Sequence, residues 1–290
     1  MADVSAQLVA KLREKTGARM MDCKKALTET QTEAGGQGEA AWLGAAETWL
    51  RKKSLDKGHA MAGRAATEGR LGYKVSGDSK ALTVLEVSAN TDFVAKNEEF
   101  LKLLEDLLAL ADANRADSVE KLNALSLGGT PVADAVKTLA GKIGENIALK
   151  RVVRVEGEFG YYIHFDNKQG AVVEVEGVSG EQAQALGKDI AMHIVFAKPS
   201  CLTRAEVSAD LVRKETEIIA ERLKSDPKNA KKPPEILSKI ATGQLGKFYA
   251  SIVLPDQPYY RDGNKTVAQV LKESGAGTVK RFVRFQVGVV

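Results

Sequence analysis

Apolar side chains recur at helical spacing through the first fifty residues. Val4, Leu8, Val9 and Leu12 predict one helix, which Gly17 stops just after Thr16. Asp22 is placed to cap a second helix from Cys23 to about Thr30, its carboxylate accepting the free amides of the first turn. After a turn at Gly35 to Gly38, Trp42, Leu43, Ala46, Trp49 and Leu50 share one face of a third helix. That helix is predicted to end in Arg51, Lys52 and Lys53, since cations suit a helix C-terminus. Residues 1–55 therefore read as a three-helix module. Residues 56–69 carry Gly58, Gly63 and Gly69 with no large apolar period, and read as a linker.

Beyond the linker the period changes from helical to alternating. Leu71, Tyr73 and Val75, then Leu82, Val84, Leu85 and Val87, predict two strands joined by a turn at Gly77 and Asp78. Leu101, Leu104, Leu107, Leu108 and Ala111 mark a long helix, and Thr130 before Pro131 opens another by the N-cap and first-turn proline rule. A second strand-and-helix unit starts near Ile147, with strands over 147–156, 161–165 and 171–177. Its helix, over 181–197, turns Leu186, Ile190 and Ile194 inward. Helical stretches over 204–224 and 235–249, separated by Asp226, Pro227, Pro233 and Pro234, predict an inserted antiparallel hairpin. A short helix over 266–273 and a strand from Thr278 to Val287 close the chain. The expected class is α+β, with core subdomains over 70–146 and 147–290 and the hairpin at about 204–249.

Composition narrows the functional classes. Hydrophobic residues make up 44% and charged residues 28% of the 290, which excludes wholesale disorder. No apolar run approaches the roughly 20 residues of a membrane span, and Met1 to Lys11 lacks the basic and apolar regions of a signal peptide. A soluble, cytoplasmic protein without a membrane partner is expected. The formal net charge is only +4, and the basic residues are not gathered into a polybasic arm, so no specific nucleic-acid partner is expected. Cys23 and Cys201, far apart in sequence, suit a reducing compartment.

Catalytic constellations are missing. His59, His164 and His193 form no pair at zinc-ligand spacing, no cysteine pair has ligand spacing, and no Gly-x-Ser-x-Gly elbow occurs. The glycine clusters at 35–38 and 275–277 are not followed by Lys with Ser or Thr, so neither reads as a phosphate loop. No covalent enzyme chemistry, catalytic residue, metal or cofactor is expected. His193, beside Ile190 and Ile194 on one helix, reads as a satisfied core histidine rather than a functional base. The basic run from Lys228 to Lys232 reads as a solvated turn.

Two segments are more polar and more specific than their settings require. In Thr16-Gly17-Ala18-Arg19-Met20-Met21-Asp22-Cys23-Lys24-Lys25-Ala26-Leu27, two adjacent methionines at a helix entrance cannot both face one small core. Either Met20 is a hydrophobic staple and the lysines a solvated face, or one methionine is exposed as an adaptable apolar contact. In Glu86-Val87-Ser88-Ala89-Asn90-Thr91-Asp92-Phe93-Val94-Ala95-Lys96-Asn97, Thr91 or Asp92 can cap the following helix while Phe93 packs as a staple. Alternatively, Asp92 and Phe93 project from a tight connection as a charged group beside an aromatic wedge.

Both segments resemble the signature motifs of the translation elongation factor Ts family. The resemblance extends to Lys142-Ile143-Gly144-Glu145-Asn146-Ile147, to Ile190-Ala191-Met192-His193-Ile194, and to the order of elements over nearly the whole chain. It implies a guanine nucleotide exchange factor for the GTPase elongation factor Tu. The N-terminal module would be ubiquitin-associated-like and dock through Arg13, Met20, Met21 and Lys24. Thr91, Asp92, Phe93 and Val94 would form the segment that disturbs the partner's magnesium and phosphate site, with Phe93 as the wedge. Ile143 and His164 would add core contacts, and Tyr260 and Arg261 contacts to a distal domain of the GTPase. A dimer of heterodimers is a further implied assembly. Arg19 stands where the family usually has Gly or Pro, and Ser88-Ala89-Asn90 also departs from its usual pattern. An extra C-terminal helical module of some members is expected to be missing after the last strand. The rival reading is a ribosome- or RNA-associated binding module, suggested by the slight basic excess.

Overall fold

The Ser5 hydroxyl accepts the amide of Leu8 and so opens α1 (Ala6–Thr16), which closes on Gly17 in the left-handed region, at φ 63°. In this computed structural model residues 4–229, 232–275 and 278–289 are described. Residues 1–3 of the expected first module, Lys231 of the basic run, and Ala276 and Gly277 of the second glycine cluster lie outside them. The chain divides into two units: Met1–Val155 with Val287–Val290, and Glu156–Gln286.

In the first unit, α2 (Met20–Ala34) starts earlier than the spacing predicts. Arg19, not Asp22, occupies the N-cap position, and Asp22 lies within the first turn, where its charge still suits the helix dipole. Leu8, Val9, Leu12, Cys23, Ala26, Leu27, Trp42, Ala46 and Leu50 bury one shared face, and the Trp42 indole donates to the Leu27 carbonyl at 3.0 Å. The third helix, α3 (Glu39–Met61), passes straight through the basic run. Residues 56–61 of the expected linker are therefore helical. Tertiary packing overrides the poor propensity of Gly58, because α3 lies against a later helix there.

Strands β1 (Glu68–Val75) and β2 (Ala81–Ala89) pair antiparallel, with Tyr73 opposite Val84, as the alternation predicts. Then come α4 (Asp92–Ala95), α5 (Glu98–Ala113), α6 (Val119–Asn123), the two-residue strands β3 (Ser126–Leu127) and β4 (Thr130–Pro131), and α7 (Val132–Ile143). Pro131 takes the N-cap position of α7 rather than its first turn, since its residue also belongs to the small β3–β4 pair. Strand β5 (Ile147–Glu156) joins the sheet beside β2, giving the order β1-β2-β5. The sequence pattern assigns this strand to the second unit; its pairing is with the first. Being central, β2 is buried at every residue. Leu85, Val87 and Ala89 pack with Phe100, Leu103, Leu104 and Leu107 of α5. The polar residues of β2 are paired: Glu86, only 3% exposed, with Arg151 at 2.6 Å, and Thr83 with Arg154 at 2.9 Å.

The second unit has β6 (Phe159–Ile163), β7 (Gln169–Glu176), α8 (Gly180–Ala197), α9 (Ala209–Ser225), α10 (Pro234–Ile252), β8 (Pro258–Tyr259), β9 (Asp262–Thr266), α11 (Val267–Glu273) and β10 (Thr278–Gln286). The sheet order is β10-β7-β6, all antiparallel. Ala171, Val173 and Val175 meet Leu186, Ile190 and Ile194 of α8, as the helical spacing predicts. The small β8–β9 hairpin has no apolar alternation to announce it. Helices α9 and α10 pack on each other as the expected hairpin, yet α9 buries only Ile219 and Leu223, and α10 buries no residue. The α+β class holds for the whole chain.

Candidate functional site

The connection from β2 to α5 is short and held from below. Thr91 is extended, at φ −125° and ψ 156°, and its hydroxyl oxygen accepts the Val94 amide, so Thr91 is the N-cap of α4. The same hydroxyl donates to the Glu145 carboxylate, with its oxygen 2.9 and 3.1 Å from the two acceptors. Val94 and Ala95 sink into the first core. A single helical turn that turns those two residues inward must turn its neighbour out: Phe93 is 81% exposed. The staple arrangement is thus excluded, because the ring covers nothing. Asp92, in the first turn, lies 2.7 Å from Lys96 one turn later.

The entrance of α2 forms a second exposed patch of the same unit. Met20 is 49% and Met21 73% exposed. That the two methionines cannot both face the core requires at least one to be exposed; both are, because the buried stripe of α2 begins only at Cys23. Lys24 follows on the exposed face one turn after Met20, and Arg13 is exposed in the last turn of α1. Ile143 closes α7, half-buried against the first core, and its carbonyl accepts from the Arg19 guanidinium at 3.0 Å.

In the second unit, His164 follows β6, and its Nδ1 lies 2.7 Å from the Tyr162 hydroxyl. Tyr260 and Arg261 form the β8–β9 turn around Asp189 of α8. The Tyr260 hydroxyl donates to Asp189 at 3.0 Å, the Arg261 guanidinium lies 2.7 Å from the same carboxylate, and the Tyr259 hydroxyl donates to its other oxygen. Burial pushes the Tyr260 phenol above its ordinary value; the bond from Arg261 opposes the shift and the Asp189 charge adds to it. His193 is fully buried, with its Nε2 3.0 Å from Gln257 Oε1 and its Nδ1 accepting the Tyr260 amide. It is a satisfied core residue.

With these patches in place, comparison with known proteins becomes decisive. The profile of the family described as Elongation factor TS matches residues 90–289. An elongation factor Ts of Methylococcus capsulatus is 41% identical over 289 residues, covering 98% of this chain and 92% of the relative. One of Deinococcus deserti is 40% identical, covering 97% and 98%, and one of Chlorobium phaeobacteroides is 37% identical, covering 99% and all of the relative. The chain belongs to the elongation factor Ts family.

Elongation factor Ts membership makes the protein a factor of translation elongation and protein biosynthesis, of the nucleotide-exchange kind. The matched stretch begins at Asn90, immediately before the Thr91-to-Val94 turn. In this elongation factor Ts chain Asp189 lies in no motif, and Glu145 and Asn90 lie in motif segments that do not reveal their partners. Glu145, Asn90 and Asp189 are common polar residues whose importance lies in partners 54, 56 and 71 positions away, respectively. Arg19, a departure from the usual family residue, is visible as unusual but not as a bridge to α7. Among the described residues, no group of three or more His, Cys, Asp or Glu is placed to hold a metal, and no helix is long and apolar enough to cross a membrane.

Proposed function

We propose that this protein binds GDP-bound elongation factor Tu, perturbs the partner's magnesium and phosphate site, and promotes GDP release so that GTP can bind. The observation that carries this reading is the exposure of Phe93 on a turn whose neighbours, Val94 and Ala95, are buried. A large aromatic ring held away from its own core, beside a carboxylate, suits insertion between apolar elements of a partner. Family membership supplies the partner. Met20, Met21, Lys24 and Arg13 form the first docking patch, Ile143 an adjoining contact, and His164, Tyr260 and Arg261 the contacts of the second unit. The N-terminal helices act as the ubiquitin-associated-like module.

Exchange follows from linkage rather than covalent chemistry. A factor that binds the opened GTPase more tightly than the GDP-bound one weakens GDP by the same factor that GDP weakens it. Phe93 selects the open state if its contacts exist only when the crevice is widened. The test is release of a fluorescent GDP analogue from elongation factor Tu under catalytic amounts of the chain. Many turnovers are expected, and Phe93→Ala is expected to lose about 1–4 kcal/mol of the interaction, the range of an aromatic hot spot. GDP release at the full rate with Phe93→Ala would remove the wedge from this reading.

A further inference from the structure

The corner where α7 passes into β5 collects bonds from three distant stretches of the first unit. The Ile143 carbonyl accepts from Arg19 at 3.0 Å. The Thr91 hydroxyl donates to the Glu145 carboxylate, its oxygen 2.9 and 3.1 Å from the two carboxylate oxygens. The Asn146 amide donates to Asn90 Oδ1 at 2.6 Å, and the buried Asn146 side chain donates to the carbonyls of Arg64 at 2.8 Å and Ala62 at 3.4 Å. The Asn90 side chain donates in turn to the Ala65 carbonyl. Ile143, Glu145 and Asn146, within four positions of one another, thus hold the N-cap of α2, the connection from α3 to β1, and the N-cap of α4.

We propose that Glu145 is a positioning residue for exchange, which aims Phe93 by fixing the Thr91 hydroxyl. This rests on the wedge reading given above. A helix of one turn cannot sustain itself, because nucleation costs more than its few backbone bonds return. The turn of α4 depends on its cap and on the burial of Val94 and Ala95. The cap needs the Thr91 oxygen aimed at the Val94 amide, and a hydroxyl that donates to a carboxylate has its rotamer set by a strong, charge-assisted bond. Without Glu145, Thr91 is released, the turn loosens and Phe93 loses its direction. Docking through the α2 patch does not use this bond. The loss therefore falls on the step in which the ring enters the opened partner, which lowers kcat, and not on encounter, which sets KM here.

The experiment measures release of a fluorescent GDP analogue across elongation factor Tu concentrations, with the full chain and with Glu145→Ala, Glu145→Gln, Thr91→Val, the Thr91→Val/Glu145→Ala double variant and Phe93→Ala. Glu145→Ala and Thr91→Val are each expected to lower kcat about tenfold, the scale of one hydrogen bond to a charged group, with KM within about twofold. The double variant is expected to be no slower than the worse single one, since both remove the same bond. Glu145→Gln keeps an acceptor oxygen and is expected to recover most of the lost rate. Additive losses in the double variant, an effect confined to KM, or a full rate with Glu145→Ala would each overturn the assignment. If Phe93→Ala slows release and Glu145→Ala does not, only the positioning role falls; if Phe93→Ala is also at full rate, the wedge and this inference fall together.

Discussion

Gly141 of α7 lies against the carbonyl of Ser54 in α3 so closely that a Cβ at Gly141 would overlap the oxygen. The contact is reciprocal one turn further on, where Gly58 of α3 meets the carbonyl of Lys137 in α7. Two glycines, each under the other helix's backbone, let these helices cross without side chains between them. Gly141→Ala is accordingly expected to lower stability by roughly 1–3 kcal/mol, the cost of forcing an extra carbon into a packed contact. Urea unfolding followed by circular dichroism measures it, and a midpoint equal to that of the unaltered chain would show that α3 does not need this approach.

Exposed methionines and the exposed phenylalanine are expected to fail differently. Met21 is 73% exposed and belongs to no buried cluster, so Met21→Ala should leave the thermal midpoint within about 1 °C. Paired with Lys24→Ala, it is expected to raise KM for GDP-bound elongation factor Tu about tenfold at unchanged kcat, as the loss of uniform binding does. A fall in kcat at constant KM would assign the α2 patch to the opening step instead.

Burial holds the His193 imidazole below its ordinary pKa, although the bond to Gln257 and the charge of Asp189 both push it up. In the unfolded chain the same ring takes up a proton near pH 6.5. Below that pH the unfolded state binds more protons, so the contribution of His193 to stability is complete above about pH 6.5 and is lost as pH falls towards the folded value. Thermal unfolding between pH 7.5 and 5.0 is expected to show the unaltered chain losing stability relative to His193→Gln. Parallel curves for the two would place the proton uptake elsewhere.

Much of this architecture is written in local periodicity. Leu8, Val9 and Leu12 and the Leu186, Ile190, Ile194 stripe lie where side-chain spacing alone puts them, because each of these helices buries one face, and the β1–β2 hairpin lies where the change to alternating spacing puts it. What escapes is set by distant partners. Three cations mimic a helix end at Arg51 to Lys53, but packing on α7 carries α3 to Met61. Ile147 to Glu156 reads as a strand, while its choice of β2 as neighbour is a matter of topology. In the candidate site, a cap at Thr91 or Asp92 is legible because capping is a local bond from a side-chain oxygen to an amide of the next turn, and the structure gives it to Thr91. The direction of Phe93 is not, since a staple and a projecting ring share one sequence and differ only in what lies beneath.

The α9–α10 hairpin, whose helices bury only Ile219 and Leu223, stands in contrast to β2, which is buried throughout. Segments with so little buried surface open at a small fraction of the global free energy. Its amides would exchange with solvent hydrogen long before those of the sheets, and a protease would find its first cut there. For the same reason a turn added to or taken from both helices would cost the rest of the molecule little. The hairpin is thus expected to be the part of the fold most free to change length while the sheets stay as they are.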